Sequence, residues 1–437
     1  MAKLPEGTLM QRAAAGLATA ILDFLGRGYG ARVLLLVGAG DNGGDALYAG
    51  AMLVRRGVQC EAILLGTNRH TDVFTAAGGR VVGLDEARRP DVLVDGIVGI
   101  GGRPGLRPDA EAALAAFPGV PIVAVDTPSG VSVDDGRIDG PHVSADLTVT
   151  FGTHKICHVA EPAASACGTV HLVDIGLDLP APSLEVLGPD DVAALIPAPA
   201  PDAHKYTRGV VGIRTGSADY PGAAVLGVGA AASGLCGMVR YAGPAARSIR
   251  VAHPEVVAGE GRVQAWVVGS GSGEDAGPAL ERALADDVPV VVDADALAHV
   301  SPGTAGLVLT PHAGELAAML GVERAEIEAA PLPFARRAAD ELGAVVLLKG
   351  RHTIVAHPDG RTRANTTGTS WLAVAGAGDV LAGLIGALLA AGLGRFDAAS
   401  VGAWLHGAAA MLASQGGPIT ASQVAAAVPE VARELRR

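Results

Sequence analysis

The chain is poor in aromatic residues, in charge, in cysteine and in lysine, and each shortage narrows the reading. Phe, Trp and Tyr make up 3% of 437 residues, so a core has to be assembled from Val, Leu, Ile and Ala. Charged residues are only 18% against 49% hydrophobic, a balance opposite to that of a disordered chain. Basic residues (33) are outnumbered by acidic ones (45), leaving a net charge of −12. Such a surface repels phosphate backbones and anionic lipid, so neither nucleic acid nor membrane is an expected partner. The four cysteines, Cys60, Cys157, Cys167 and Cys236, form no C-x-x-C pair. His154 and His158 flank Cys157, but no second cysteine completes a zinc-type spacing, and buried free thiols in a cytoplasmic protein are the expectation. The N-terminal sequence has no long apolar run, so no signal peptide is expected. The uncharged stretches 220–239, 380–394 and 398–429 are too short, or too diluted by Gly, Ser, Gln or Pro, to cross a bilayer, and read as buried helices. Of the 33 basic residues only four are lysine: Lys3, Lys155, Lys205 and Lys349.

What is present is glycine, 61 residues of it, punctuating β-branched runs. Residues 33–37, 61–65, 91–95 and 121–126 read as strands alternating with helices such as 46–56, with further strands at 145–151 and 168–173. That order implies βαβ units and a parallel sheet. A proline-rich stretch, 181–203, reads as a linker carrying one short helix, 189–195. A second α/β pattern follows, with strands at 210–214, 262–268, 288–293, 306–310 and 344–349 and helices at 223–233 and 314–320. A hairpin is expected at 353–363 with Asp359-Gly360 at its turn, and the last 60 residues read as mainly helical. The expected architecture is α/β throughout: an N-terminal domain at 1–180 and a C-terminal one at 204–437.

In the first half, VGAGDNGGDA places Gly38, Gly40 and Gly43 between a strand and a helix, with Glu61 at the next strand. Alone, this is a dinucleotide fingerprint, and by itself it would suit an oxidoreductase. The residues around it point elsewhere. Asp41, Asn42 and Asp45 bring two carboxylates and an amide to the loop, and carboxylates repel a pyrophosphate unless they bind a cation or move protons. Asp95 opens DGIVGIGGRPG, and Asp126 opens DTPSG with Ser129 close behind. Residues after strand C-termini meet at one crevice in an open parallel sheet, so Asn42, Asp45, Asp95, Asp126 and Ser129 are expected to converge as an oxygen-rich set suited to a hard cation.

In the second half, AGAGDVLAG sets Gly376 and Gly378 before Asp379 and a long apolar helix. The free N–H groups of that helix start attract an anion, and Asp379 beside it can take a proton from an attacking hydroxyl. KGRHT after one strand brings Lys349, Gly350 and Thr353 to a nucleotide phosphate. LTPHAGE, VVDADAL and VGSGSGED bring His312 and Glu315, Asp293 and Asp295, and three glycines to other strand ends. No Walker A motif is present. Read from these residues alone, a small-molecule kinase and a non-catalytic cofactor-binding protein stay open.

The runs GAGDNGGDA, VDGIVGIGG, AVDTPSGVSVDDG, ADLTVTFGTHK and GTVHLVDIG resemble, in order across residues 7–177, the NAD(P)H-hydrate epimerase domain. The resemblance implies a Rossmann-like three-layer α/β/α fold and a bound potassium ion with Asn42, Asp95 and Ser129 as ligands. It implies hydrate-binding positions at Asp41, Asn42, Gly43, Gly44 and Asp45, at Gly99, Ile100, Gly101, Gly102, Arg103, Pro104 and Gly105, and at Asp126. Asp126 is expected as the acid–base residue with Lys155 as its electrostatic partner. The chain departs from the family pattern at Asp41, usually Asn, and at Ala46, usually Gly. Residues 200–430 resemble the ADP-dependent (S)-NAD(P)H-hydrate dehydratase of the ribokinase-like superfamily, also α/β/α. There the implied hydrate-binding positions are Ala223, Gly271, His312 and Asp379, and the nucleotide-binding ones Lys349, Gly350, Arg351, His352, Thr353 and Gly378. Ser270 stands where the family usually has Pro, and Ala377 where it often has Ser. Both halves together are similar to bifunctional NAD(P)H-hydrate repair enzymes. That implies epimerisation of R- and S-NAD(P)H hydrate, ADP- or ATP-dependent dehydration of the S form, Mg²⁺ for the second step, and a homo-oligomer.

Overall fold

The computed structural model describes Pro5 and residues 7–436. They divide into two compact units, Met1–Ala181 and Pro182–Arg437.

The first unit is built on seven strands: β1 (Arg32–Val37), β2 (Gln59–Leu64), β3 (Arg80–Val81), β4 (Val92–Gly96), β5 (Ile122–Val125), β6 (Leu147–Phe151) and β7 (Thr169–Val173). All pair in parallel, in the order β3-β2-β1-β4-β5-β6-β7. The continuous apolar runs follow from burial of both sheet faces. Along β1, Val33, Leu35 and Val37 face the helices Thr8–Leu25 and Asp41–Arg55, while Leu34 and Leu36 face Ala110, Ala113 and Phe117 on the other side. The result is three layers, with the strand order reversing between β1 and β4. Helix Asp41–Arg55 starts five residues before the expected 46, so Gly43 and Gly44 lie inside its first turn and not in a loop.

The second unit has nine strands: β8 (Val210–Arg214), β9 (Met238–Tyr241), β10 (Val257–Ala258), β11 (Ala265–Val268), β12 (Val290–Val292), β13 (Leu307–Leu309), β14 (Val345–Leu348), β15 (Thr353–Ala356) and β16 (Thr362–Asn365). They run β10-β9-β8-β11-β12-β13-β14-β15-β16, parallel up to β14 and antiparallel through the β15–β16 hairpin. Val211, Ile213, Val267, Val291 and Leu347 pack on helices Ala377–Ala390 and Arg395–Ser414, both almost free of charge. Small residues let these helices approach closely. A Cβ on Gly383 would stand 2.0 Å from the Gly227 carbonyl oxygen, so helix Ala377–Ala390 touches helix Pro221–Ala231 backbone to backbone. One of the few aromatics, Trp266, is fully buried on β11, with the Arg214 guanidinium 4.2 Å from its ring.

Residues 182–203, expected as linker, pack into this second unit. Glu185 pairs with Arg363 beside β16, and helix Pro189–Leu195 inserts Val192 into the core. The short strands β3, β9 and β10 were not legible from the sequence pattern.

Candidate functional sites

In the first unit the switch between β1 and β4 gathers the predicted residues. A Cβ on Gly38 would lie 1.8 Å from the Ile97 carbonyl oxygen, so only glycine lets the two strand ends meet. Asp95, the fourth residue of β4, is fully buried. Its carboxylate accepts from the Ser129 hydroxyl at 2.6 Å, the Ser129 N–H at 2.8 Å and the Ile97 N–H at 3.2 Å. The Ser129 hydroxyl in turn accepts from the Val98 N–H at 3.0 Å. No cationic side chain pairs with Asp95 among the described residues. Burial pushes it up to about 6, against the pull of those hydrogen bonds. Buried Asn42 turns its Oδ1 towards Gly99, and its Nδ2 has no hydrogen-bond partner. Ser129 and Asp95 at Val98, and Asn42 at Gly99, thus bring hydroxyl, carboxylate and amide oxygens to consecutive residues after β4, a donor set suited to a hard cation.

The 99–105 loop follows directly. Its far end is tied by the Gly105 N–H to the Gly130 carbonyl at 2.8 Å, while Ile100, Gly101, Arg103 and Pro104 are exposed along it. Asp41 is also exposed and pairs with Arg69 at 3.2 Å, away from the buried cluster. Asp45, one turn further, is turned inward, and its Oδ1 has no partner. Burial, then the charges of Asp126 and Asp41, raise it to about 7.

Asp126 follows β5 with φ of 65°, a left-handed backbone uncommon outside glycine. Its carboxylate accepts from the Lys155 ammonium at 2.5 Å, the Thr150 hydroxyl at 2.9 Å and the Phe151 N–H at 3.4 Å. Lys155 also donates to Thr150 and to the Phe151 carbonyl, which fixes it on three sides. Sequence reasoning missed Thr150 and His158. The His158 ring bonds the Lys155 N–H and the Asp126 carbonyl, holding both ends of the pair. The fold also brings Cys167 to Cys157 and His158, a convergence that local spacing did not reveal; with both ring nitrogens engaged, His158 is a structural brace there. All four cysteines are buried free thiols.

In the second unit the strand order reverses between β8 and β11, where helix Pro221–Ala231 and the 269–273 turn begin. Gly271 (φ 63°) leaves its Cβ position 2.9 Å from the Ala223 methyl, so these two predicted positions are neighbours. Lys349, just past β14, is held 2.8 Å from Asp293 and 3.7 Å from Glu315. Burial opposes its charge, but Asp293, Glu315 and Asp379 prevail and raise it. His312 caps helix Ala313–Leu320: its N–H donates to Glu315 at 2.7 Å and its ring accepts from the Glu315 N–H at 3.1 Å. The remainder of that ring is exposed.

Asp379 lies in the first turn of helix Ala377–Ala390, and Gly378 faces the Lys349 ammonium and Asp293. The Asp379 carboxylate accepts from the Ser270 hydroxyl. It is raised to about 6 by burial, with Asp293 pushing it further up and Ser270 and Lys349 pulling it down. Lys349, Gly350, Arg351, His352, Thr353 and Gly378 all line one cleft of about 470 Å³, which residues 365–370 also line. His406 also lines it. It is buried, driven down to about 4 by desolvation, and presents an unpartnered Nε2. A lone histidine in an apolar helix gave no sequence signal. Lys205 lies over the exposed ring of Tyr206 outside any of these clusters, and Lys3 is outside the described residues.

Comparison with known proteins agrees in both halves. A family model described as YjeF-related protein N-terminus matches residues 6–157, and one described as NAD(P)H-hydrate dehydratase matches 211–429. Bifunctional NAD(P)H-hydrate repair enzymes of Mycobacterium leprae (48% identity, 96% of this chain and 92% of that one) and Mycobacterium tuberculosis (49% identity, 92% and 88%) align over nearly the whole length. The crystal structure of the Bacillus subtilis ADP/ATP-dependent NAD(P)H-hydrate dehydratase, co-crystallized with ATP/Mg²⁺, superposes with a TM-score of 0.55 at 29% identity, covering 58% of this chain and all of that one. A ribokinase-like superfamily protein from Enterococcus faecalis shares the fold at 21% identity and a TM-score of 0.52, covering 60% of this chain and all of that one. With both family models matched in order and near-full-length relatives at almost half identity, the chain belongs to the bifunctional NAD(P)H-hydrate repair enzyme family.

Proposed function

We propose that the chain repairs hydrated nicotinamide cofactors, its first unit interconverting R- and S-NAD(P)H hydrate and its second dehydrating the S form with ADP or ATP. The observation that carries the reading is Asp379. A carboxylate raised to about 6 stands at a helix N-terminus, beside a cleft edged by Lys349 and Gly378. In the dehydratase, the Ala377 and Gly378 N–H groups and the Lys349 ammonium bind the transferable phosphate. Asp379, ionised at neutral pH, takes the proton of the C6 hydroxyl as its oxygen attacks that phosphate. The hydroxyl thereby becomes a good leaving group, and its departure as phosphate lets the ring C=C re-form. Ala223 and Gly271, adjacent at the switch point, leave room for the hydrated ring, and His312 bounds its far side. His406 offers a hydrogen bond to the nucleotide. Mg²⁺, when bound with the nucleotide, neutralises charge on the phosphates.

In the epimerase, the 41–45 turn and the 99–105 loop bracket the dinucleotide, and Asp126 with Lys155 faces the reacting carbon. Asn42, Asp95 and Ser129 fit a potassium ion. Asp95 is a buried carboxylate with no cationic neighbour among the described residues, and Asn42 and Ser129 add neutral oxygens. When bound, the ion supplies the missing positive charge and steadies the 99–105 loop. We further propose a cytoplasmic homo-oligomer; sedimentation of the purified chain tests its assembly. Among the described residues no helix is long and apolar enough to cross a membrane.

The deciding assay follows NADH absorbance from a mixture of R- and S-NADH hydrate with ADP or ATP. Full regeneration is expected. Regeneration of the S fraction alone overturns the epimerase assignment, and none at all overturns the dehydratase.

A further inference from the structure

We propose that Asp45, rather than serving only to bind substrate, is the proton donor of the epimerase site, working across the reacting carbon from Asp126 as its paired base. The proposal rests on the epimerase reading above and assigns the two carboxylates different work.

The contrast between their surroundings is geometric. The Asp126 Oδ1 is met by three donors: Lys155 at 2.5 Å, Thr150 at 2.9 Å and the Phe151 N–H at 3.4 Å. That is the setting of a hydrogen-bond acceptor, paired with a cation. Asp45 has the opposite setting. Its Oδ1 is buried without a hydrogen-bond partner, and no cation pairs with it among the described residues. The charged groups acting on it are Asp126, from the end of β5, and Asp41, on its own helix. The charge of Asp41 is partly met by Arg69, and that of Asp126 by Lys155. A carboxyl whose inner oxygen is buried and unpaired, beside a second carboxylate, holds its proton far more readily than a free one, in accord with its rise to about 7. Two carboxyl groups in one crevice whose environments separate them in this way divide into acid and base.

The chemistry balances without a co-reactant other than water. The N1 lone pair forms a C6=N1 bond as the C6–O bond breaks. The departing oxygen keeps the bonding electrons, takes the Asp45 proton and leaves as water. Water then adds to the opposite face of C6, the C=N electrons return to N1, and its surplus proton goes to Asp126. Transfer between the neighbouring carboxyl groups restores Asp45, and the reverse direction uses the same groups with their roles exchanged. No oxidation state changes. The fixed negative charge of ionised Asp45 and Asp126 stabilises the cationic ring.

The test follows R/S interconversion chromatographically on the full chain without nucleotide, so that the dehydratase is silent, across neutral pH. NADH formation from the S epimer with ADP checks the other unit of each variant. In the wild type, interconversion should fall as pH rises through about 7, because the donor must be protonated. Asp45→Asn should lose about 10²–10⁴-fold in kcat and lose the alkaline limb, with KM little changed. Asp45→Glu should retain a displaced limb, and it decides the matter if the Asn variant fails to fold. Asp45→Asn at the wild-type rate, or a loss confined to KM with the alkaline limb intact, overturns the proposal. A wild-type chain that leaves the epimers unconverted overturns the epimerase reading and this proposal with it.

Discussion

The hydroxyl of Ser270 donates to the carboxylate of Asp379. Ser270 thus adds a donor to the proposed base. The bond favours the ionised carboxylate and opposes the effect of burial.

Ser270→Ala should therefore raise Asp379 above its present value of about 6. A base acts only when ionised, so dehydratase activity is lost as pH falls through that value. Removing the hydroxyl should move the acid limb of the NADH-formation profile to higher pH, by up to about one unit for one hydrogen bond. An unmoved limb would mean that the contact does not tune the base.

Lys349→Met should cripple nucleotide use and weaken the second unit. It leaves Asp293, with a side chain only 4% exposed, holding its charge against the Thr310 hydroxyl and no cation among the described residues. Removing one member of a buried pair costs about 3–5 kcal/mol, readable in a denaturant titration. The KM for ADP should rise as well. Lys349→Arg should recover stability better than activity, because the larger planar guanidinium does not match a point contact with phosphate.

Asp95→Asn should abolish any response of the first unit to potassium. A ligand that binds only the folded state raises the unfolding temperature with its concentration. The wild-type chain should show that rise with potassium chloride beyond what lithium chloride gives, and the variant should show none. Equal responses in both proteins would remove Asp95 from the ion site.

Gly383→Ala should reach the dehydratase from a distance. The added methyl would sit 2.0 Å from the Gly227 carbonyl oxygen and must part helices Ala377–Ala390 and Pro221–Ala231. Overpacking of this kind costs about 1–3 kcal/mol. The same displacement shifts Asp379 against Ala223, so kcat should fall while epimerisation stays intact.

The sheets were legible because burial on both faces writes parallel strands as unbroken Val, Leu and Ile runs, as in β1 and β14. Strands of two residues, such as β3 and β10, leave no such run. The proline-rich 182–203 segment misled because its anchoring is scattered: the side chains of Val192 and Ile196, and a pairing at Glu185, with no periodic apolar run to announce it. At the sites, motif residues that follow strand ends could be placed, since the sheet itself carries them there. Thr150, His158 and His406 could not. Each acts through a contact made only when distant segments fold together, and the local pattern around each gave no hint of that contact.

The left-handed backbone at Asp126 limits how far that position can drift. Glycine, asparagine and aspartate enter this region at little cost, and β-branched or bulky residues do not. Aspartate is thus chosen twice, by conformation and by charge, and neither of its two tolerated substitutes carries a carboxylate. If Asp126 is the proposed acid–base residue, a library selected for stability alone would accumulate Gly or Asn at 126 and discard epimerisation silently. The second unit would go on converting the S epimer, and the loss would surface only as unrepaired R hydrate.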